Sequence, residues 1–215
     1  MDAVSGACGG MNSPAPLLIF GASRGTGLEV ARLARRKGQS VYGVIRSQSA
    51  ALEQLGVKTL SGNVDDAAQV ADVCLQARDA GAVVSTLGGG TSDGDGTMRV
   101  IDAVRAGGIR RFILVSSLGA GDSRAYASQR LLDAIGPILE EKTRAENHLA
   151  ASGLDFTIIR PGQLLDAPAN HRASLREDPS LHGGIPRADL AALILECLDQ
   201  PETIGRTFTA VDPGP

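Results

Sequence analysis

A chain of 215 residues with 43% hydrophobic residues is long enough for one α/β domain around a sizeable core. Its formal net charge of −3 and its 3% of aromatic residues, with no tryptophan, argue against nucleic acid as a partner and leave few surfaces on which bases or sugars would stack. No apolar run is long enough to span a bilayer and the first residues lack the basic-then-apolar order of a signal peptide, so no membrane partner is expected and the cytoplasm is the expected compartment.

Met1 to Pro16 is rich in Gly and Ser and reads as a flexible leader, with one domain over 17–215. Leu17 to Phe20 is an apolar strand that runs into Gly21-Ala22-Ser23-Arg24-Gly25-Thr26-Gly27, and Leu28, Ala31 and Ala34 follow at helical spacing over Gly25 to Lys37. A second apolar strand, Val41 to Ile45, completes a βαβ unit. In such a unit Gly21 allows the tight turn, while Gly25 and Gly27 let backbone approach phosphate oxygens and the next strand at a helix N-terminus that favours anions. The pattern points to a dinucleotide; an ordinary strand-to-helix turn is the alternative, and the complete βαβ unit argues against it. Arg32, Arg35, Arg36 and Lys37 read as solvated cations that offset the helix dipole.

The second strand ends in Val44-Ile45-Arg46-Ser47, with no carboxylate to accept hydrogen bonds from the adenosine ribose as NAD-binding units usually have. Arg46, together with Arg24, suits a ribose 2′-phosphate by charge and fork geometry, so NADP(H) is the expected cofactor. The alternative for either arginine is a solvated loop residue.

Further strands are expected at Thr59-Leu60, Ala82 to Leu87, Arg111 to Ser116, Phe156 to Ile159 and Thr207 to Val211. Helices are expected at Asp65 to Ala77, Gly96 to Ala106, Leu139 to Ala151 and Arg187 to Leu198, with another around Arg124 to Ala134 and Pro186 in the first turn of the last. The alternation predicts a single Rossmann-type domain, a doubly wound parallel sheet in three layers. Cys74, facing Ala67, Val70 and Ala71, and Cys197, facing Leu190, Leu193 and Ile194, read as small core residues; Cys8 lies in the leader, and neither a disulfide nor a metal site is expected. Ligands in such sheets bind beyond the carboxyl ends of the strands, here the loops starting at Gly62, Leu87, Ser116 and Arg160. Asp65 reads as the N-terminal acid of a helix. Lys142 shares a helix face with Ile138, Ala145 and Leu149 and needs a partner there: either a nicotinamide ribose or, if it snorkels, water.

The runs IFGASRGTG, VIRS, GNVDD, VVSTLGG, FILVSSLGAG, EEKTRAENHLAASGLDFTIIRPG and PRADLAALILECLDQPETIGRTF together resemble an atypical short-chain dehydrogenase/reductase of the NAD(P)H-binding NmrA-like and biliverdin-IXβ/flavin reductase kind. The resemblance covers Leu17 to Val211. It implies cofactor contacts from Gly21, Ser23, Arg24, Gly25, Thr26 and Gly27, from Arg46, from Asn63 and Val64 beside the adenine, and from Leu87 and Gly88. It also implies that Ser116, Ser117, Lys142, Pro161 and Gly162 lie toward the nicotinamide, with Ser117 and Lys142 in catalytic roles.

The chain departs from the family pattern in its glycine spacing, in Asn63 where an aspartate is common, and above all in the tyrosine four residues before the lysine, which is Ile138 here. Tyr126 imitates the tyrosine-to-basic spacing with Arg130 but reads as a half-exposed loop tyrosine, and His171 and His182 read as solvated histidines in a loop over the pocket. The expected activity is NADPH-dependent hydride transfer to a planar, electron-poor small molecule of flavin, quinone or tetrapyrrole type, which needs positioning more than a protein acid. The alternative is a non-catalytic NADP(H)-binding redox sensor. A carbonyl reductase would need another acid, and nucleotide-sugar epimerases or dehydratases generally carry the tyrosine. Monomer and homodimer both remain open.

Overall fold

The first strand, β1 (Leu17–Phe20), is inaccessible along its whole length: Leu17 and Ile19 point into one apolar layer, and Leu18 and Phe20 into the other. A strand buried on both faces has to lie inside a sheet covered on both sides. The computed structural model describes residues 14–88 and 93–214. Cys8, almost all of the leader Met1 to Pro16, and Gly89 and Gly90 therefore lie outside the described residues.

In chain order the elements are β1, α1 (Gly25–Arg36), β2 (Val41–Ile45), α2 (Ala50–Gln54), β3 (Lys58–Ser61), α3 (Ala67–Gln76), β4 (Ala82–Ser85), α4 (Asp95–Ala106) and β5 (Arg111–Val115). A tight helical turn (Gly121–Tyr126) then leads to α5 (Gln129–Ala151), β6 (Asp155–Pro161), β7 (Gln163–Leu165), β8 (Ser174–Arg176), β9 (Gly184–Pro186), α6 (Arg187–Leu198) and β10 (Arg206–Val211). The main sheet has the order β3-β2-β1-β4-β5-β6-β10-β8 and is parallel except for β8, which runs antiparallel along β10. This is the expected doubly wound Rossmann arrangement with one added antiparallel edge. Strand order reverses between β1 and β4, so the crevice beyond their carboxyl ends is the natural ligand site. Helices α1 and α6 cover one face; α3, α4 and α5 cover the other.

Several local expectations are corrected. β4 stops at Ser85 and β5 at Val115, two residues and one residue short of the expected ends, which releases Thr86 to Gly88 and Ser116 as loop. The helix expected around Arg124 to Ala134 starts only at Gln129, after the tight turn Gly121–Tyr126, and is separate from the one expected over Leu139 to Ala151: α5 consists of two helical stretches that meet at Ile135, whose backbone is not helical (φ −138°, ψ 16°). Pro137 lies at the start of the second stretch, where its missing amide costs no helical hydrogen bond. Pro186 ends β9 and precedes the first residue of α6 rather than lying within its first turn. The α3 cap is Asp66, not Asp65: its carboxylate accepts from the backbone amides of Ala68 (2.9 Å) and Gln69 (3.2 Å).

Part of the basic run in α1 is structural rather than solvated. Arg35 donates to the carbonyls of Leu55 (3.0 Å) and Gln39 (3.1 Å), tying the end of α1 to the α2–β3 connection, and Arg32 pairs with Glu29.

Cys74 and Cys197 are buried as expected, although Ala67 and Ala71 face outward. Burial pushes both thiols up to about 11. At about pH 8 an alkylating reagent is therefore expected to leave Cys74 and Cys197 unmodified in the native protein and to modify both in denaturant, as read by peptide mapping; native labelling at either position would contradict their burial.

Candidate functional site

The β1–α1 loop is shaped by close backbone packing. Gly21 has φ +82°, and a Cβ there would lie 2.7 Å from Thr86 Oγ1. At Gly27 a Cβ would lie 2.2 Å from the Gly21 carbonyl oxygen, so α1 starts directly beneath the turn. The Thr86 hydroxyl lies 3.1 Å from the Phe20 carbonyl and 3.2 Å from that of Gly21, pinning the turn to the end of β4. Arg24, preceding α1, is extended and makes no side-chain cap, and the buried hydroxyl of Thr26 (6% exposed) has no hydrogen-bond partner among the described residues. An uncapped helix N-terminus with an orphan hydroxyl in its first turn suits a phosphate group, so these residues fit the dinucleotide expected from the sequence.

The loop opens into a cavity of about 750 Å3. Of the site residues expected from the sequence, Gly21, Ser23, Arg24, Gly25, Thr26, Arg46, Val64, Leu87, Gly88, Ser116, Ser117, Lys142, Pro161 and Gly162 line it. Gly27 and Asn63 do not. Gly27 acts from beneath through its missing side chain. The Asn63 side-chain oxygen accepts from the Asp65 backbone amide (3.2 Å) and the Asn63 backbone amide donates to Gln69 Oε1 (3.0 Å), which holds the turn that presents Val64.

At the far end the partner of Lys142 is a carboxylate. Its Nζ lies 2.8 Å from Asp93 Oδ1 and 3.5 Å from the Leu87 carbonyl oxygen, and Asp93 is 2% exposed. Asp93 follows a glycine-rich stretch, and nothing in its neighbourhood marks it in the sequence as facing a helix far along the chain. Ile138, one turn before Lys142, lines the cavity and is 38% exposed. The two adjacent serines differ: Ser117 Oγ donates to the Leu118 carbonyl (3.0 Å), whereas the buried Ser116 hydroxyl has no hydrogen-bond partner among the described residues. Sequence reasoning also missed Thr86, Leu164, Asp166 and Arg187, all of which line the cavity.

Tyr126, His171 and His182 are exposed and absent from the lining. Tyr42, the other tyrosine, bonds Asp79 through its hydroxyl (2.9 Å) and is absent from the lining too. His171 has φ +57° because the buried Asp189 accepts from the backbone amides of Asn170 (3.0 Å) and His171 (3.1 Å); the loop is tied down by its backbone and the ring is left outside.

Comparison with known proteins bears on the family and the fold. The family model described as NAD(P)H-binding matches residues 21–201. A Bacillus subtilis (strain 168) protein named as an uncharacterized sugar epimerase, YhfK, is 31% identical over 180 residues, covering 79% of this chain and 80% of that protein. The structure of ChuY, an anaerobillin reductase from Escherichia coli O157:H7, superposes with a TM-score of 0.86 at 39% identity, covering 93% of this chain and 98% of that one. A short-chain dehydrogenase/reductase from Veillonella parvula in complex with NADP shares the fold, with a TM-score of 0.77 at 17% identity over 93% of this chain and 95% of that one. With the matched segment running from the glycine turn through α6, the chain belongs to the NAD(P)H-binding family, as a Rossmann-fold oxidoreductase.

Proposed function

We propose that this protein is an NADPH-dependent reductase that passes hydride to a planar, electron-poor acceptor of flavin, quinone or tetrapyrrole type. The observation that carries the proposal is Ile138: the cavity wall beside Lys142 presents an aliphatic side chain, and neither of the chain's two tyrosines lines the cavity. A site without a phenol is poorly equipped to protonate a carbonyl oxygen as it is reduced. It is well suited to an acceptor whose electron pair is delocalised and whose proton comes from water. Similarity over nearly the full chain to a protein described as a reductase of anaerobillin supports a tetrapyrrole-type acceptor within that class.

The residues divide the work. The β1–α1 loop and Thr26 hold the pyrophosphate, Arg46 and Arg24 the 2′-phosphate, and Val64 packs beside the adenine. Lys142, steadied by Asp93, orients the nicotinamide ribose, and the Ser116 and Ser117 hydroxyls face the carboxamide or the acceptor. Bound NADPH supplies the hydride. The aliphatic side chains of Ile138 and Leu164 give the acceptor an apolar wall.

Two measurements test this reading. NADPH oxidation with FMN, biliverdin, quinones and simple carbonyls, run beside calorimetric NADPH binding, is expected to show turnover with the planar acceptors. Binding without turnover would replace the reductase with a redox sensor. Arg46→Ala is expected to weaken NADPH by about 10-fold or more while leaving NADH unchanged, since a charge-assisted fork is lost only with the phosphorylated ribose. An unaltered NADPH preference would remove Arg46 from the site.

A further inference from the structure

Arg187 is the first residue of α6, on the layer that packs against α1, and its guanidinium reaches the glycine loop. A Cβ placed on Gly25 would lie 3.7 Å from Arg187 Nη1 and 3.9 Å from Cζ. The Nε edge is occupied: it donates to Asp166 Oδ1 at 2.7 Å, and this is its one side-chain hydrogen bond among the described residues. Asp166 is 85% exposed and Arg187 27% exposed, so the carboxylate stands at the rim and the guanidinium extends beneath it over the loop. A guanidinium held by one edge keeps its other N–H groups in a fixed plane. Here the Nη1 side lies against Gly25, next to the orphan Thr26 hydroxyl and the uncapped α1 N-terminus.

The charges around the cavity favour one occupant for that plane. Lys142 is matched by Asp93 at 2.8 Å, and Arg46 lies beyond the end of β2, where the adenosine ribose belongs. Arg187 and the exposed Arg24 are the cations that flank the loop itself. We propose that Arg187 is a cofactor-clamping residue that closes over the dinucleotide pyrophosphate from the α6 side, with Asp166 as the positioning residue that aims it. The inference rests on NAD(P)H binding in this cavity and adds a residue from outside the βαβ unit to phosphate recognition.

The test separates three anions: pyrophosphate, 2′-phosphate and an acceptor carboxylate. Dissociation constants for NADPH, NADH and adenosine 2′-monophosphate are measured by calorimetry for the wild type, Arg187→Ala and Arg187→Lys. Arg187→Ala is expected to weaken NADPH and NADH by the same factor, about 10-fold or more, and to leave adenosine 2′-monophosphate, which has no pyrophosphate, unchanged. Arg187→Lys is expected to fall between, since it restores the charge without the fork; it also carries the comparison if the alanine variant no longer binds adenosine 2′-monophosphate and so has lost its fold.

Unchanged affinity for both dinucleotides overturns the proposal. A loss confined to NADPH also overturns it and makes Arg187 a reader of the 2′-phosphate. An increased KM for the acceptor with unchanged dinucleotide affinity overturns it in favour of an acceptor carboxylate. A wild-type protein that binds neither dinucleotide would instead remove the reading on which the proposal rests.

Discussion

Gly27→Ala is expected to reduce NADPH and NADH binding by about 100-fold or more, the scale on which a misplacement of about 1 Å at a reacting site is felt. The added methyl would sit 2.2 Å from the Gly21 carbonyl oxygen and 2.8 Å from its carbon, with Thr86 Oγ1 at 2.6 Å. Two of these contacts are backbone, so relief requires α1 to move away from the turn that presents its first amides. The same overpacking is expected to lower stability by about 1–3 kcal/mol. Calorimetry for binding and thermal melting for stability measure the two effects. Wild-type affinity in the variant would show that the turn does not hold the cofactor.

Lys142→Met is expected to cost both stability and turnover. Breaking a buried ion pair from one side costs about 3–5 kcal/mol, because the remaining buried charge loses its counter-ion, and Asp93, with its side chain 1% exposed, is that charge. Removing both charges in Lys142→Met/Asp93→Leu is expected to recover much of that loss, as apolar replacements of buried pairs often do. Turnover is expected to stay depressed by about 100-fold in the single and the double variant, since positioning of the ribose is absent from both. Denaturant unfolding and NADPH oxidation on the single and the double variant separate the two roles. Turnover restored together with stability would make the pair a structural brace; unchanged turnover in Lys142→Met would remove the lysine from the site.

The parts of this site that were legible in the sequence are those made by contiguous residues. Gly21 to Gly27 declare a tight turn because the positive φ of Gly21 and the approach of Gly27 to the Gly21 carbonyl are set within the local backbone. The absence of an acid at Val44 to Ser47 is equally local. Lys142 stood out because a cation on an otherwise apolar helix face needs a partner, but helical periodicity does not name it. Strands β7, β8 and β9 have three residues each and α2 has five, too few for alternation or helical spacing to register. The loop anticipated over the pocket therefore holds short strands that steer Asp166 and Arg187 to its edge.

By itself, the sequence determined the Rossmann sheet with its two covered faces, the tight glycine turn between β1 and α1, and an isoleucine, Ile138, one helical turn before Lys142. Hydrophobic runs, glycine sterics and residue identity are all written along the chain. Only the tertiary structure decided that Asp93 holds Lys142, that Ser117 is engaged with a carbonyl while Ser116 is left with an orphan hydroxyl, and that Arg187 lies against Gly25. The pairing of Asp93 with Lys142 and the approach of Arg187 to Gly25 depend on segments distant in sequence meeting above the carboxyl ends of neighbouring strands. That meeting is set by strand order and by the packing of α1 on α6 and of α4 on α5, which no local pattern encodes.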